Sequence, residues 1–300
     1  VLEVTNIRVR SYDLGHLDVY WDIAPCFEDV LNYTFTVLRS DTEFGPFEPI
    51  SRALVDSYHF RDSATHDRFS KYSPTYYAIR IDTRGGSQTP VTYPTSGKGV
   101  RLEALPDLAA LEMSLQERLK LKQFKGRLVW VYRKRTFGQR CPSCFDPVMG
   151  RHVTSNCQVC FNTSWVGGYH APVATYAQIV TPDEQIARLD IGKVESQDSV
   201  ILLANVPEIF EGDLILELEN VRWRVGPTIR KYKKARALVR QQAGIHGIQR
   251  EDIEYTIPLN VSPDVLKDTL ASPEGNYLNR QTIGSDELQE VLRSFFRRRG

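Results

Sequence analysis

The sequence predicts a mainly β, multidomain chain, and three observations carry that prediction. Segments in which apolar and polar residues alternate recur along most of the length. A single long stretch, near the middle, has helical spacing instead. Four of the five cysteines fall in two Cys-x-x-Cys pairs between the β-rich parts. With 300 residues the chain is long enough for two or three cores. Its 41% apolar and 25% charged residues exclude a disordered or fibrous chain. A formal net charge of +1 gives no overall pull toward nucleic acid or membrane, so an electrostatic partner must meet a local patch. No apolar run approaches the roughly 18 residues of a membrane span. The first residues, "VLEVTNIRVRSYD", lack the apolar centre of a secretion signal. Paired thiols add the expectation of a reducing compartment, a cytoplasm, where cysteines bind metal rather than cross-link.

Residues 1–95 read as strands at short intervals. "TNIRVRSYDLGHLDVYWDI" alternates on both sides of a turn at Asp13-Leu14-Gly15. "NYTFTVLRS" puts Tyr33, Phe35 and Val37 on one face; "GPFEPIS" is turn-like, and "PTYYAIRIDTRGG" is a further strand ended by glycines. With Trp21 after an alternating strand, Tyr33, "GPFEPIS", "FRDS" and "YYAIRI", this stretch resembles a fibronectin type III domain. The resemblance implies a β-sandwich whose large aromatics are buried between two sheets. Cys26 is expected to pack there as a small apolar group.

The segment 96–135 holds linker, helix and strand. "TPVTYPTSGKG" (89–99) reads as the linker by its Pro, Ser and Gly content. From Pro106 to Lys125 the spacing of Leu108, Leu111, Leu115 and Leu119 predicts a connecting amphipathic helix, stopped at Gly126. "RLVWVYRKR" is a strand. Residues 168–260 read as a small β-barrel or sandwich, its clearest pairing being "GDLILELENVRWRVGP" with a hairpin turn at Glu219-Asn220, and "IEYTIPL" as a further β-like piece. Residues 261–300 form a loop-rich C-terminal arm with a short helix, capped by Ser285, with acids in its first turn and arginines in its last.

Cys141, Cys144, Cys157 and Cys160 occupy residues 136–167 with the spacing C-x2-C-x12-C-x2-C. Each Cys-x-x-Cys turn aims two sulfurs at one point, and two such turns supply the four thiolates that tetrahedral Zn²⁺ prefers. Four thiolates close the shell, so the ion expected is structural; iron is the alternative for an S4 site. His152 and His170 are near in sequence and could replace a cysteine, although four well-spaced thiols leave them no need to. Neither pair sits in the βαβ setting of a thioredoxin-like redox site.

No phosphate-binding loop, dinucleotide fingerprint, nucleophile elbow or His-Glu-x-x-His occurs, and the six histidines have no interpretable spacing, so no catalytic residue is assigned and no enzymatic activity is expected. Asp252 and Glu254 read as alternate residues of a strand. Basic residues gather at Arg133, Arg135 and Arg140 and again at Lys231, Lys233 and Lys234, interleaved with Trp223 and Tyr232. They could contact phosphate and bases, or serve as the solvated faces of strands or as contacts to an acidic partner. Phe295, Phe296, Arg297 and Arg298 combine apolar and cationic groups suited to anchoring on a neighbour.

The stretch "GQRCPSCFDPVMGRHVTSNCQVCFNTSWVGGYHAPV", ending in Gly167, Gly168, Tyr169 and Pro172, resembles a knuckle region of structural proteins of tailed bacteriophages. Its second knuckle is also similar to DnaJ-type zinc modules, but "FNTSW" departs from their Gly-x-Gly and argues against peptide binding. The stretch from "FEGDLILELENVRWRVGPTIRKY" to "IEYTIPL" is similar to the β-barrel of phage head-completion and neck proteins. The resemblance spans about 100–260. It implies a virion component at the neck or head–tail connection, assembled in the host cytoplasm into a ring of identical subunits that meets portal, connector or tail proteins. A tail or baseplate component, or a nucleic-acid-binding zinc protein, is the alternative.

Overall fold

The computed structural model describes residues 2–12, 16–63, 74–86, 89–102, 107–154, 156–180, 188–189, 192–193, 198–217, 220–235 and 237–257. The expected turn at Asp13-Leu14-Gly15, Glu219, and the C-terminal arm with its helix lie outside these residues. The described chain is mainly β, as expected, with one α-helix.

The first unit is a sandwich. Strands β1 (Val4–Arg10), β2 (Leu17–Ile23) and β5 (His59–Asp62) form one antiparallel sheet in the order β1-β2-β5. Strands β3 (Tyr33–Ser40), β4 (Glu48–Pro49), β6 (Tyr76–Thr83) and β7 (Val91–Tyr93) form the other, in the order β4-β3-β6-β7, with β8 (Val100–Arg101) also paired to β6. Period-2 alternation sends Val19, Trp21 and Ile23 from one sheet, and Phe35, Val37, Tyr77 and Ile79 from the other, into one core. Trp21 is fully buried, its ring 6.0 Å from that of Phe35. Two local expectations change. "GPFEPIS" contains an edge strand, β4, and the segment read as a linker contributes β7 to the sheet. Proline content concealed that strand, because an edge position tolerates a residue without an N–H.

The helix, α1 (Leu108–Lys120), starts two residues later than expected, at the Asp107 cap, whose carboxylate accepts the N–H groups of Ala109 (2.9 Å) and Ala110 (3.3 Å). It continues as a wider turn through Leu121–Lys125 and stops at Gly126, as predicted. A Cβ on Gly126 would lie 2.4 Å from the Leu121 carbonyl oxygen, so the stop requires glycine for its close approach. The buried face differs from the predicted leucine stripe. Ala110, Leu111, Ser114 and Leu121 are buried, whereas Leu108 is 63% exposed at the first turn.

The second unit settles the choice between barrel and sandwich. Six antiparallel strands close on themselves: β9 (Arg127–Tyr132), β12 (Val173–Val180), β15 (Asp198–Ala204), β16 (Leu214–Glu217), β17 (Arg222–Lys234) and β18 (Ala237–Gly247). Their order is β12-β15-β18-β17-β16-β9, returning to β12. Between β9 and β12 the chain makes a small hairpin, β10 (Phe145–Asp146) with β11 (Arg151–His152), and between β12 and β15 another, β13 (Arg188–Leu189) with β14 (Gly192–Lys193). The barrel therefore takes in β9, upstream of the boundary at residue 168. Its interior holds Val129, Val131, Ala177, Ile201, Leu203, Ile215, Ala243 and Ile245. Trp130 and Tyr132 alternate to the outer face, where Leu214, Leu216 and Ile257 cover them. Helix α1 lies against β15 and β18. The predicted strand in "IEYTIPL" is a single 3-10 turn, Ile253–Thr256; Glu254 is buried there and bonds Arg224 at 2.8 Å.

Sandwich and barrel meet through defined contacts. Arg135 forms a two-pronged ion pair with Asp56 (3.0 and 2.7 Å). Glu208 accepts from Arg10 of the sandwich and from Lys231 of the barrel. Phe137 packs on the sandwich core and meets Tyr58 edge-on at 4.9 Å, and His170 stands 5.3 Å from Phe137. Burial, then the guanidinium groups of Arg135 and Arg133, pull the His170 imidazole from its ordinary 6.5 to about 3. In the folded protein His170 is therefore neutral across the window in which an unfolded chain would protonate it. The unfolded state binds the extra proton, so stability is full above about pH 6.5 and is lost progressively as pH falls toward 3. Chemical denaturation across that range should show the loss, and His170→Gln should flatten the wild-type slope between those two values without altering stability at pH 8 by a comparable amount.

Candidate metal centre

The four cysteines are brought together by a detour of the barrel. Beyond β9 and before β12 the two chain segments remain side by side: Arg135 N–H bonds the Gly168 carbonyl, His170 N–H the Arg133 carbonyl, and Arg140 bridges to Trp165. At the far end lie the two knuckles. In the first, Phe145 N–H bonds the Cys141 carbonyl at 3.1 Å; in the second, Phe161 N–H bonds the Cys157 carbonyl at 2.8 Å. Each turn thereby directs its two sulfurs to one side.

The loop between the knuckles is short because its turn chemistry is local. The Asp146 carboxylate accepts Val148 N–H at 2.8 Å, and Gly150, in the left-handed region at φ +63°, returns its N–H to the Asp146 carbonyl. The glycine-rich ending is also required. A Cβ on Gly168 would lie 2.8 Å from the Cys160 carbonyl oxygen, and its φ of +67° is left-handed. Asn162, whose side chain accepts Cys157 N–H at 3.2 Å, and Thr163, whose hydroxyl donates to the Cys160 carbonyl at 2.7 Å, lock the second knuckle.

All four sulfurs lie within 4.8 Å of one another and none is in a disulfide. Cys141 and Cys160 have no exposed surface, Cys144 4% and Cys157 9%. The Cys141 and Cys157 sulfurs are 3.8 Å apart, and those of Cys144 and Cys160 3.2 Å. A tetrahedron of metal–sulfur bonds near 2.3 Å requires about 3.8 Å between sulfurs, so one pair already has that spacing and the other needs only a small expansion. Burial, with the neighbouring sulfurs, pushes the Cys144 thiol up. For Cys157 burial acts in the same direction, but the N–H groups of Cys160 and Val159 outweigh it and bring the thiol down to about 7. The four residues form a group that could hold a metal ion. His152 and His170 are not members of it.

The knuckle also touches the sandwich. Cys26 N–H bonds the Gly138 carbonyl at 3.1 Å, Arg140 N–H bonds the Cys26 carbonyl at 2.7 Å, and Cys26 pairs with Gln139 as a parallel bridge. The Cys26 side chain packs on the sandwich core as expected, and its backbone does the linking. The Phe27 ring lies 6.3 Å from Phe145. The Arg140 guanidinium lies 4.3 Å from the Phe145 ring centre and 3.7 Å from that of Trp165.

Of the other residues singled out from the sequence, Arg135 and Lys231 are directed inward to Asp56 and Glu208 instead of outward. Arg133 lies over the Phe210 ring at 4.5 Å. Lys233 and Lys234 are exposed near the tip of the β17–β18 hairpin, beside the exposed Tyr232. Phe295, Phe296, Arg297 and Arg298 lie outside the described residues. Among the described residues no helix is long and apolar enough to cross a membrane. No family model matches the chain, and no curated protein does.

Metal analysis of the purified chain should find one ion, with binding releasing protons as thiols become thiolates. Cys160→Ala should abolish tight binding, while Cys26→Ala and His152→Ala should leave it intact.

Proposed function

We propose that this chain is a non-enzymatic structural subunit of a tailed-phage virion, at the neck or head–tail connection, in which Zn²⁺ in the Cys141–Cys144–Cys157–Cys160 cluster fixes the knuckle. The observation that carries the reading is the seat of that cluster. All four cysteines are buried and four thiolates fill a tetrahedral shell, which leaves no ligand position for a substrate, and the segment they organise is bonded to both sandwich and barrel. Such a centre is suited to rigidity and not to turnover. Zinc is favoured over iron because a closed tetrahedral tetrathiolate in a reducing compartment needs no redox function. Rigid subunits with preformed surfaces suit a closed ring, in which each copy repeats one contact with the next and then meets portal, connector or tail proteins. A place in the tail or baseplate would use the same parts.

A second reading has its own observation. The β17–β18 hairpin presents Lys233, Lys234 and Arg240 around Tyr232, with the Arg240 guanidinium 4.4 Å from the Tyr232 ring centre. Cations interleaved with an aromatic suit a nucleic acid. Native mass measurement and particle images at high protein concentration should give a closed ring with one zinc per subunit, and duplex DNA should show no mobility shift at low salt. A monomer that shifts DNA in a salt-sensitive way would replace the ring proposal with the nucleic-acid reading.

A further inference from the structure

A cavity of about 420 Å³ lies between the sandwich and the barrel, away from the sulfur cluster. This is within the usual size of small-molecule sites, and the seam between two folded units is a common position for one. Its sandwich wall includes Arg8, Tyr20 and His59; its barrel wall includes Arg133, Glu208 and Phe210. Tyr20 and His59 are stacked, ring centres 4.6 Å apart and planes 28° from parallel, so they offer a flat surface. Phe137 and Phe210 add apolar faces.

The charges of the lining do not cancel. Its acids are Asp22, Asp56 and Glu208, and each is engaged: Asp22 by Arg8 at 2.6 Å, Asp56 by Arg135 at 2.7 Å, Glu208 by Arg10 and Lys231. The guanidinium of Arg61 is held by Asp18 behind the wall, at 2.9 Å. Arg133 has no carboxylate within ion-pair distance among the described residues and rests on Phe210. The Arg8 Nε–H is buried without an acceptor among the described residues. The carboxylates are thus occupied, Glu208 by two cations, while the half-buried Arg133 has no carboxylate partner among the described residues, so positive charge is left over in a partly apolar cleft.

We propose that this cleft binds a small, flat aromatic molecule carrying one carboxylate, sulfonate or phosphate group. The anion pairs with Arg133, and the ring lies among Tyr20, His59 and Phe210. Because the two walls come from different units, a ligand there would fasten the sandwich to the barrel. The inference does not depend on the virion reading or on the identity of the metal.

The test uses 8-anilinonaphthalene-1-sulfonate as probe on the full, metal-loaded chain, with N-phenyl-1-naphthylamine as its uncharged counterpart, both followed by fluorescence. The wild type should bind one sulfonate per chain, saturably and at least tenfold more tightly than the uncharged compound. Arg133→Gln should weaken sulfonate binding about tenfold or more and leave the uncharged compound unaffected, whereas Lys234→Gln, on the hairpin outside the cleft, should change neither. Equal wild-type affinity for the two compounds, an absence of saturable binding, or sulfonate binding unaltered by Arg133→Gln in a folded variant would each overturn the proposal. The wild-type comparison decides the matter even if the variant does not fold.

Discussion

The two knuckle turns between Tyr132 and Val173 depend on four sulfurs meeting at one point. Among the described residues of that excursion Phe137, Phe161 and Tyr169 pack on the margins of the two larger cores, and the one cluster of its own is that of the cysteines, too small to hold a shape by burial alone. The convergence of Cys141, Cys144, Cys157 and Cys160 fixes both knuckle turns, and the turns fix Gln139 and Arg140. Gln139 lies opposite Cys26 of the sandwich, which bonds the residues on either side of it, the Gly138 carbonyl and the Arg140 N–H. Phe137, two residues before, is thereby set into the margin of the sandwich core. The relation of one β unit to the other is therefore governed by a cluster that belongs wholly to neither core.

The remaining contacts across the junction do a different job. Arg135 with Asp56, and Arg10 with Glu208 and Lys231, are partly buried charge pairs, and desolvation offsets much of what such pairs gain in attraction. Their value lies in selectivity: a shifted register would leave a charge buried and alone. The aromatic group of Tyr58, Phe137 and the neutral His170 supplies apolar contact at the same place. Adhesion comes from rings, alignment from ion pairs, and position from the knuckle.

The legibility of the sequence followed the range of each interaction. Alternation along β1, β2, β3 and β6 reports burial on one face and is a local property, so Trp21, Phe35 and Val37 could be placed in a core directly. The cysteine spacing is equally local, and the four residues it selected are the four that converge. Barrel closure is not local. β9 pairs with both β12 and β16, far along the chain, and nothing in "RLVWVYRKR" reveals two partners. The helix face was misread in part for a related reason: leucine spacing gives a stripe, of which Leu111 is buried, but the sheet beneath also selected Ala110 and Ser114, small residues that permit close approach. Arg135 and Lys231 resembled surface cations because their carboxylate partners lie 79 and 23 residues away. The residues of the cleft share no motif at all; only the packing of sandwich on barrel brings Tyr20 and His59 near Arg133 and Phe210.

The same packing explains why a cavity persists at the seam. The knuckle holds one flank of the junction at a set distance through rigid backbone bonds to Cys26, and the ion pairs hold their partners in fixed register. Surfaces pinned at several points by directional contacts cannot slide together to remove a gap, as two purely apolar faces would. The carboxylates that line the gap are already committed to other cations, whereas Arg133 has no carboxylate within ion-pair distance among the described residues. Stacking on Phe210 does not take the place of an ion pair for the half-buried Arg133, since a ring face attracts a cation far less than a carboxylate does. The seam is thus rigid in shape and incomplete in charge, and a complementary anion would supply what the protein's own residues leave out.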